Sequence, residues 1–297
     1  MTGLILALLN PFFSSLRAPI AKFYLNDEKT DDWAVVFARL FYAVPILTVC
    51  LLIFGMPEKI GDRFWVAMLV LVALEIPAQW FYHQAIKSEQ LSTVLPIGSL
   101  LVLTMAPFSF YAFGGWSWRA FAGILIVCSG VYVLKATQTA FSLRSLTLPI
   151  KSIWTHLPSR HMLYTVLLWS ATTPLQRVAV AESNIWFMAT VYLGGTALGV
   201  VFCTRLARVP VKSVALPAST LGLMPIGILA GAANVCQYWA NSLINPVFVI
   251  ALKETGLLWM LVWDRFIFKT SISPLRAGSV ATVATGNMLV GTSLTKD

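Results

Sequence analysis

Ten runs of about twenty largely apolar residues, separated by short polar breaks, dominate this chain of 297 residues. A run of that length is what an α-helix needs to cross the hydrocarbon core of a bilayer. The runs fall at about 2–24, 33–54, 63–86, 91–113, 117–135, 161–181, 184–204, 219–241, 244–264 and 275–294. The breaks carry turn chemistry: GMPEKIGDR at 55–63, GGWS at 114–117, RVPVKS at 208–213 and KTSISP at 269–274. The pattern predicts an all-α membrane protein with ten transmembrane helices.

Composition supports lipid as the solvent. The chain is 58% hydrophobic and 11% charged, against about 25% charged residues in a soluble domain. That is too little charge to cover a water-facing surface. Cys50, Cys128, Cys203 and Cys236 each fall inside an apolar run, and none forms a C-x-x-C pair. Neither a disulfide framework nor a metal site is expected. The net charge of +9 is scattered through short loops without a basic patch, which argues against nucleic acid as a partner. The N-terminus has no basic leader, and Arg17 interrupts its apolar stretch. It reads as a first membrane helix, not a removable signal.

The only longer connection, 136–160, lies at the midpoint and suggests a duplication. A shift of 155 residues carries Ser15, Pro19 and Lys22 onto Ser170, Pro174 and Arg177. The same shift carries Ala78, Gln79 and Ala85 onto Ala233, Asn234 and Ala240. Residues 1–135 and 161–297 then form two five-helix repeats joined by a loop at 136–160. Five is an odd number, so the two repeats enter the membrane in opposite directions. Inverted repeats of this kind build many secondary transporters, with the site near the midplane between them.

Particular segments carry a family resemblance. WAVVFARLFYAV (33–44) and FYHQAIKSEQLSTVLPIGSLLVLTMAPF (81–108) resemble spans two to four of the EamA-type repeat. AGILIVCSGVYVL resembles its fifth span, and YWANSLINPVFVIALKETGLLWMLVW (238–263) resembles the second copy of the three-to-four junction. The chain thus resembles ten-span members of the drug/metabolite transporter superfamily over nearly its whole length. That resemblance implies a secondary transporter working by alternating access, without cofactor or enzymatic activity. One departure is evident. Members often carry an acid after the fourth and ninth spans, where this chain reads GGWSW and FKTSI.

Polar residues inside the spans mark the candidate site. Residues at i, i+3, i+4 and i+7 share a helix face. Such stripes are Asn10, Ser14 and Arg17 in the first span, and Glu75, Gln79 and Tyr82 in the third. Ser170, Thr173 and Arg177 form one in the sixth, and Asn234, Gln237 and Asn241 one in the eighth. A lone Ser or Asn in a membrane helix is usually helix–helix glue. Stripes that include charges must face the bundle interior or a wet cavity. Lys253 and Glu254 stand side by side in the ninth run, at positions aligned by the 155-residue shift with Gly98 and Ser99. Superfamily carriers of phosphorylated or nucleotide-linked sugars use basic residues on the ninth span, and Lys253 resembles that placement. The bland reading is a structural lock between Lys253 and Glu75.

The expected substrate-binding residues are therefore Asn10, Ser14, Arg17, Glu75, Gln79, Tyr82, Asn234, Gln237, Lys253 and Glu254. Within the spans Arg17, Arg39, Arg177 and Lys253 outweigh Glu75 and Glu254. A positive interior favours an anionic or zwitterionic metabolite such as an amino acid or a sugar phosphate, and argues against obligatory proton coupling. Arg39, close to its span end, can snorkel and ranks behind these. His83 and the pair Asp264–Arg265 read as structural.

The alternatives are few. DEKTDD at 27–32 could serve a prenyltransferase that holds Mg²⁺, but no second acidic cluster exists. No Walker loop or HExxH motif is present. A flippase for a polar lipid headgroup on the same fold is the competing function. The expected partners are a small-molecule substrate and the bilayer of a bacterial inner membrane, with a monomer sufficing. Loops on the side of the termini hold Lys59, Arg63, Arg119 and Lys296, against twelve basic residues opposite. That bias places the termini outside, whereas the family habit places them in the cytoplasm.

Overall fold

The computed structural model describes residues 1–25, 37, 39–86, 91–136, 143–206, 224–266 and 274–294. The loop at 27–32, the turn at 208–213 and most of the turn at 269–274 lie outside the described residues, as do the side chains of His83, Asp264 and Arg265. In chain order the helices are α1 (Thr2–Leu25), α2 (Ala43–Phe54), α3 (Asp62–Ile86), α4 (Leu91–Gly98) and α5 (Leu101–Phe113). Next come α6 (Trp118–Ala136), α7 (Leu143–Thr155), α8 (Leu157–Ala181) and α9 (Ile185–Leu206). The last are α10 (Met224–Leu243), α11 (Pro246–Lys253), α12 (Gly256–Phe266) and α13 (Pro274–Leu294). Each of the ten apolar runs contains a helix. Among the described residues, Asp62–Tyr82, Val94–Phe113 and Ile185–Leu206 are long and apolar enough to cross a membrane on those grounds alone.

Two features depart from the sequence reading. The connection at 136–160 is not a loop throughout, because α7 occupies thirteen residues of it. A search for twenty-residue apolar runs passes over a short amphipathic helix that contains Pro149. The fourth and ninth runs are each broken into two helices, α4/α5 and α11/α12.

The breaks share one chemistry. Ser99 Oγ donates to Pro96 O at 2.6 Å, and Thr255 Oγ1 donates to Leu252 O at 2.8 Å. A hydroxyl bonded to the carbonyl three residues back competes with the helical ladder. The backbone follows the hydroxyls, with Ser99 N on Pro96 O and Thr255 N on Leu252 O. The freed Ser99 carbonyl accepts from Cys128 Sγ at 3.4 Å. A shift of 156 residues superposes Pro96 and Ser99 on Leu252 and Thr255. It pairs Glu254 with Gly98 and Lys253 with Ile97, correcting the alignment made with a shift of 155 by one position. The ninth run starts cleanly because Asn245 caps α11, its Oδ1 accepting from Val247 N at 3.1 Å, with Pro246 in the first turn.

The chain divides into two compact units. The first comprises Met1–Ile76 and Gln176–Ser242, the second Pro77–Leu175 and Leu243–Asp297. The chain passes between them inside α3 at Pro77 and inside α8 beside Pro174. A proline removes a ladder hydrogen bond and kinks a helix at such a point.

In the first unit α2 packs on α9. Its turn at 55–61 is clasped by residues 182–186. Asn184 Nδ2 donates to Gly55 O at 3.1 Å, Gly61 N donates to Glu182 O at 2.8 Å, and Phe54 stacks on Trp186. In the second unit α6 packs along α13 through small residues. A Cβ on Gly123 would come within 2.9 Å of Gly286 O, and one on Gly130 within 3.1 Å of Ser279 O. Backbones approach this closely only where side chains are absent. Gly123 lies against Gly286 and Gly130 against Ser279, so the helices run antiparallel. The contacts are also self-complementary. The same 156-residue shift carries Gly123, Val127 and Gly130 onto Ser279, Val283 and Gly286, and Val127 meets Gly286 as Val283 meets Gly130.

Candidate functional site

The first unit carries a buried polar cluster. Glu75 of α3 is 8% exposed, and Tyr192 of α9 and Tyr238 of α10 are buried beside it. The Glu75 carboxyl is within electrostatic range of both tyrosines. Gln176 of α8 is also within reach of the Tyr192 hydroxyl. That hydroxyl meets neither group in full hydrogen-bond geometry among the described residues. Gln237 Nε2 donates to Gln176 Oε1 at 3.3 Å. The two tyrosine rings meet edge-on at 6.1 Å. A line of polar groups thus runs Glu75, Tyr192, Gln176, Gln237, drawn from four helices.

Asn10 of α1 adds to it, its Nδ2 donating to Ala233 O of α10 at 2.6 Å. Asn10 Oδ1 and both amide atoms of Asn241 are shut off from solvent and make no hydrogen bond among the described residues. Leaving such groups unmet costs about 1–3 kcal/mol each. They are the groups a bound molecule could engage.

Arg39 belongs here too. It is half-buried, and its charge acts on Tyr238, so it faces the cluster and does not serve only as an interface residue. Arg17, Ser14, Asn234 and Arg177 are half-buried members of the same unit.

The remaining sequence-expected residues belong to the second unit. Gln79 is buried on α3 beyond Pro77, one turn after Glu75. Tyr82 packs its ring against Trp169 at 5.3 Å. Lys253 and Glu254, both half-buried, flank the break in the ninth run. Lys253 is the last residue of α11, where carbonyls point outward and a cation is favoured. Glu254 is the C-cap of α11, two residues before α12 begins at Gly256. The two adjacent charges thus stand at the break in the run, where the α-helical ladder is interrupted.

Sequence reasoning missed Tyr192, Tyr238 and Gln176. The tyrosines sit in otherwise apolar runs and are not separable by pattern from belt aromatics. Gln176 is adjacent to Arg177, which drew the stripe one residue aside. Asn245 was missed for another reason, because its role is long-range. Besides capping α11, it donates from Nδ2 to Gly114 O at 2.7 Å and accepts at Oδ1 from Ser109 Oγ at 2.5 Å.

Residues 1–135 match the EamA-like transporter family. The family lies in the drug/metabolite transporter superfamily. Its members are integral to membranes and generally not enzymes, so the match points to a membrane transporter of that type. Among curated proteins none matches the sequence. A solved crystal structure with 15% sequence identity superposes with a TM-score of 0.74, the match covering 98% of each chain. At that identity the likeness bears on the fold alone.

Proposed function

We propose that this protein is a secondary transporter, built on ten spans in two inverted repeats, for a small polar molecule bearing a carboxylate or phosphate. The observation that carries this reading is the polar cluster around Glu75, Tyr192, Gln176 and Gln237. It is solvent-poor, drawn from four helices and includes unmet amide atoms. An ionisable residue inside a membrane helix bundle marks a functional path by default, and Glu75 is here joined by three further polar side chains. The self-complementary packing of α6 on α13 and the matching breaks in the fourth and ninth runs support the inverted repeat. Broken helices presenting charged termini are a recurrent ligand device in transporters.

In this reading Lys253 takes the anionic group and Glu254 the ammonium of a zwitterion. Within the first unit Arg39 and Arg177 lend the Glu75 cluster positive potential. Pro77 and Pro174 are the points at which α3 and α8 flex between states, giving alternating access.

The test is counterflow in liposomes holding the purified protein, using labelled amino acids and sugar phosphates. Uptake of an anionic or zwitterionic compound that falls about tenfold in Lys253→Ala supports the assignment, a loss matching one charge-assisted hydrogen bond. Translocation of a fluorescent phospholipid without uptake of any soluble compound would turn the assignment to a flippase. Transport of a purely cationic compound indifferent to Lys253→Ala would overturn the substrate class.

A further inference from the structure

The geometry points to α7 as an interfacial helix that binds the headgroups of anionic phospholipids, with Trp154 and Ile150 entering the acyl boundary and Arg144 and Lys151 meeting the phosphates.

The helix has three faces. At about 100° per residue, Pro149 and Ser152 lie on one side, and both are buried. Ile150 and Trp154 lie about 40° from each other on a second side and are 54% and 77% exposed. Leu157, just beyond the helix end, is exposed as well. Arg144 and Lys151 lie about 20° from each other on the third side, and both are exposed. Leu148 borders the basic and the packed faces. A helix with an apolar flank carrying Trp and a basic flank beside it matches the chemistry of a membrane surface.

The flanks are held in place. α7 packs on α4 and α6. At its first turns Tyr132 Oη donates to Leu146 O at 2.6 Å. At its C-terminal end Ser152 Oγ and Ser159 Oγ share a hydrogen bond of 2.8 Å, and His156 Nδ1 lies 3.2 Å from the Ser159 hydroxyl. Arg160 donates from Nε to Ile153 O at 3.1 Å and from its guanidinium to Trp154 O. Those are last-turn carbonyls, so Arg160 fixes the azimuth at which Trp154 is presented.

Charge commits the occupant. Between Glu89 and Glu182 the sequence has no acidic residue, so neither α7 nor the two helices it packs on offers a carboxylate to Arg144 or Lys151. A partner that is apolar on one side and anionic on the other is an anionic bilayer surface. Basic residues at such a surface each contribute about fivefold in binding.

The test uses the full-length protein with its four cysteines replaced by serine, carrying a single cysteine at Trp154→Cys or Thr155→Cys. Each is labelled with an environment-sensitive fluorophore. The proteins are placed in nanodiscs of phosphatidylcholine with zero or 30% phosphatidylglycerol, including lipids brominated near the headgroup. Thr155 lies toward the basic flank, so quenching at least twofold stronger at 154 than at 155 is expected. Phosphatidylglycerol retained through purification is expected to fall about tenfold or more in Arg144→Gln/Lys151→Gln, with unchanged thermal stability as the check on folding. Equal quenching at both positions would overturn the interfacial placement. Retention of phosphatidylglycerol unchanged in the double variant would overturn the headgroup assignment. Efficient disulfide-linked dimers of unlabelled Trp154→Cys would give the face to a second copy instead.

Discussion

The two compact units bury polar side chains with different emphasis. In the second, buried hydroxyls and amides are bonded largely to backbone, with Ser109–Asn245 and Ser152–Ser159 as side-chain pairs. Ser99 holds Pro96 O, Asn245 holds Gly114 O and Ser109 O, and Ser152 holds Pro149 O. Asn287, with both amide atoms unmet among the described residues, is an exception. In the first unit, polar side chains face one another across helices, as Glu75 does Tyr192 and Gln176 does Gln237. A side chain bonded to backbone fixes geometry and has little capacity to spare. Side chains facing each other can exchange partners when a ligand enters. Apart from the charged pair Lys253–Glu254, the second unit reads as scaffold, and the cluster of the first reads as site.

The comparison can be broken most forcefully at the α6–α13 contact. Gly123→Leu forces a side chain against Gly286 O, and backbone cannot yield as a flexible side chain would. A loss of about 3 kcal/mol is expected from overpacking, read as a lower unfolding midpoint in detergent. Gly278→Leu, on the same pair of helices with no atom within 4 Å of its added Cβ, is expected to leave the midpoint unchanged. Equal losses would show that close backbone approach is not what holds the unit together.

The site is next in size. Glu75→Leu is expected to reduce transport at least tenfold, the scale of one hydrogen bond to a charged group, while the unfolding midpoint holds or rises. A collapsed midpoint with residual transport would make Glu75 a structural group and erase the contrast between the units. The scaffold counterpart is Asn245→Ala. It leaves Gly114 O and the α11 N-terminus without their partner, at a cost of about 2 kcal/mol in denaturant unfolding. Substrate affinity is expected to stay within twofold of the parent.

The smallest effects compare the two helix breaks. Ser99→Ala and Thr255→Ala each remove one hydroxyl-to-carbonyl bond at a helix break, worth about 0.5–1.5 kcal/mol. Matching shifts in midpoint are expected, because the two bonds sit at equivalent positions of the fourth and ninth runs. A large effect from one and none from the other would say that only one break is structural.

How much of this was legible beforehand differs by level. Segment length and apolarity found ten runs that each contain a helix, though not α7, because a helix satisfies its own backbone and a long apolar run declares it. Polar stripes found Asn10, Glu75, Gln237 and Asn241, because a buried polar residue in such a run is rare enough to stand out. The breaks did not show in advance, since Ser99 and Thr255 can cap, bend or merely decorate a helix. Only the hydroxyl's chosen carbonyl separates those cases. Lys253 and Glu254 stood out as a cost, and the structure places both at the end of α11, beside the break in the ninth run.

What the sequence determined by itself is therefore the solvent, the class of element and the list of expensive residues, all of which follow from local composition. Tertiary structure decided which of those residues meet. Tyr192, Tyr238 and Gln176 entered the cluster because α8, α9 and α10 bring them beside Glu75, a long-range event that no local pattern encodes. It also decided that residues 143–155 form a helix with one face packed on α4 and α6. An amphipathic stretch that short gains most of its helical stability from its neighbours rather than from its own residues.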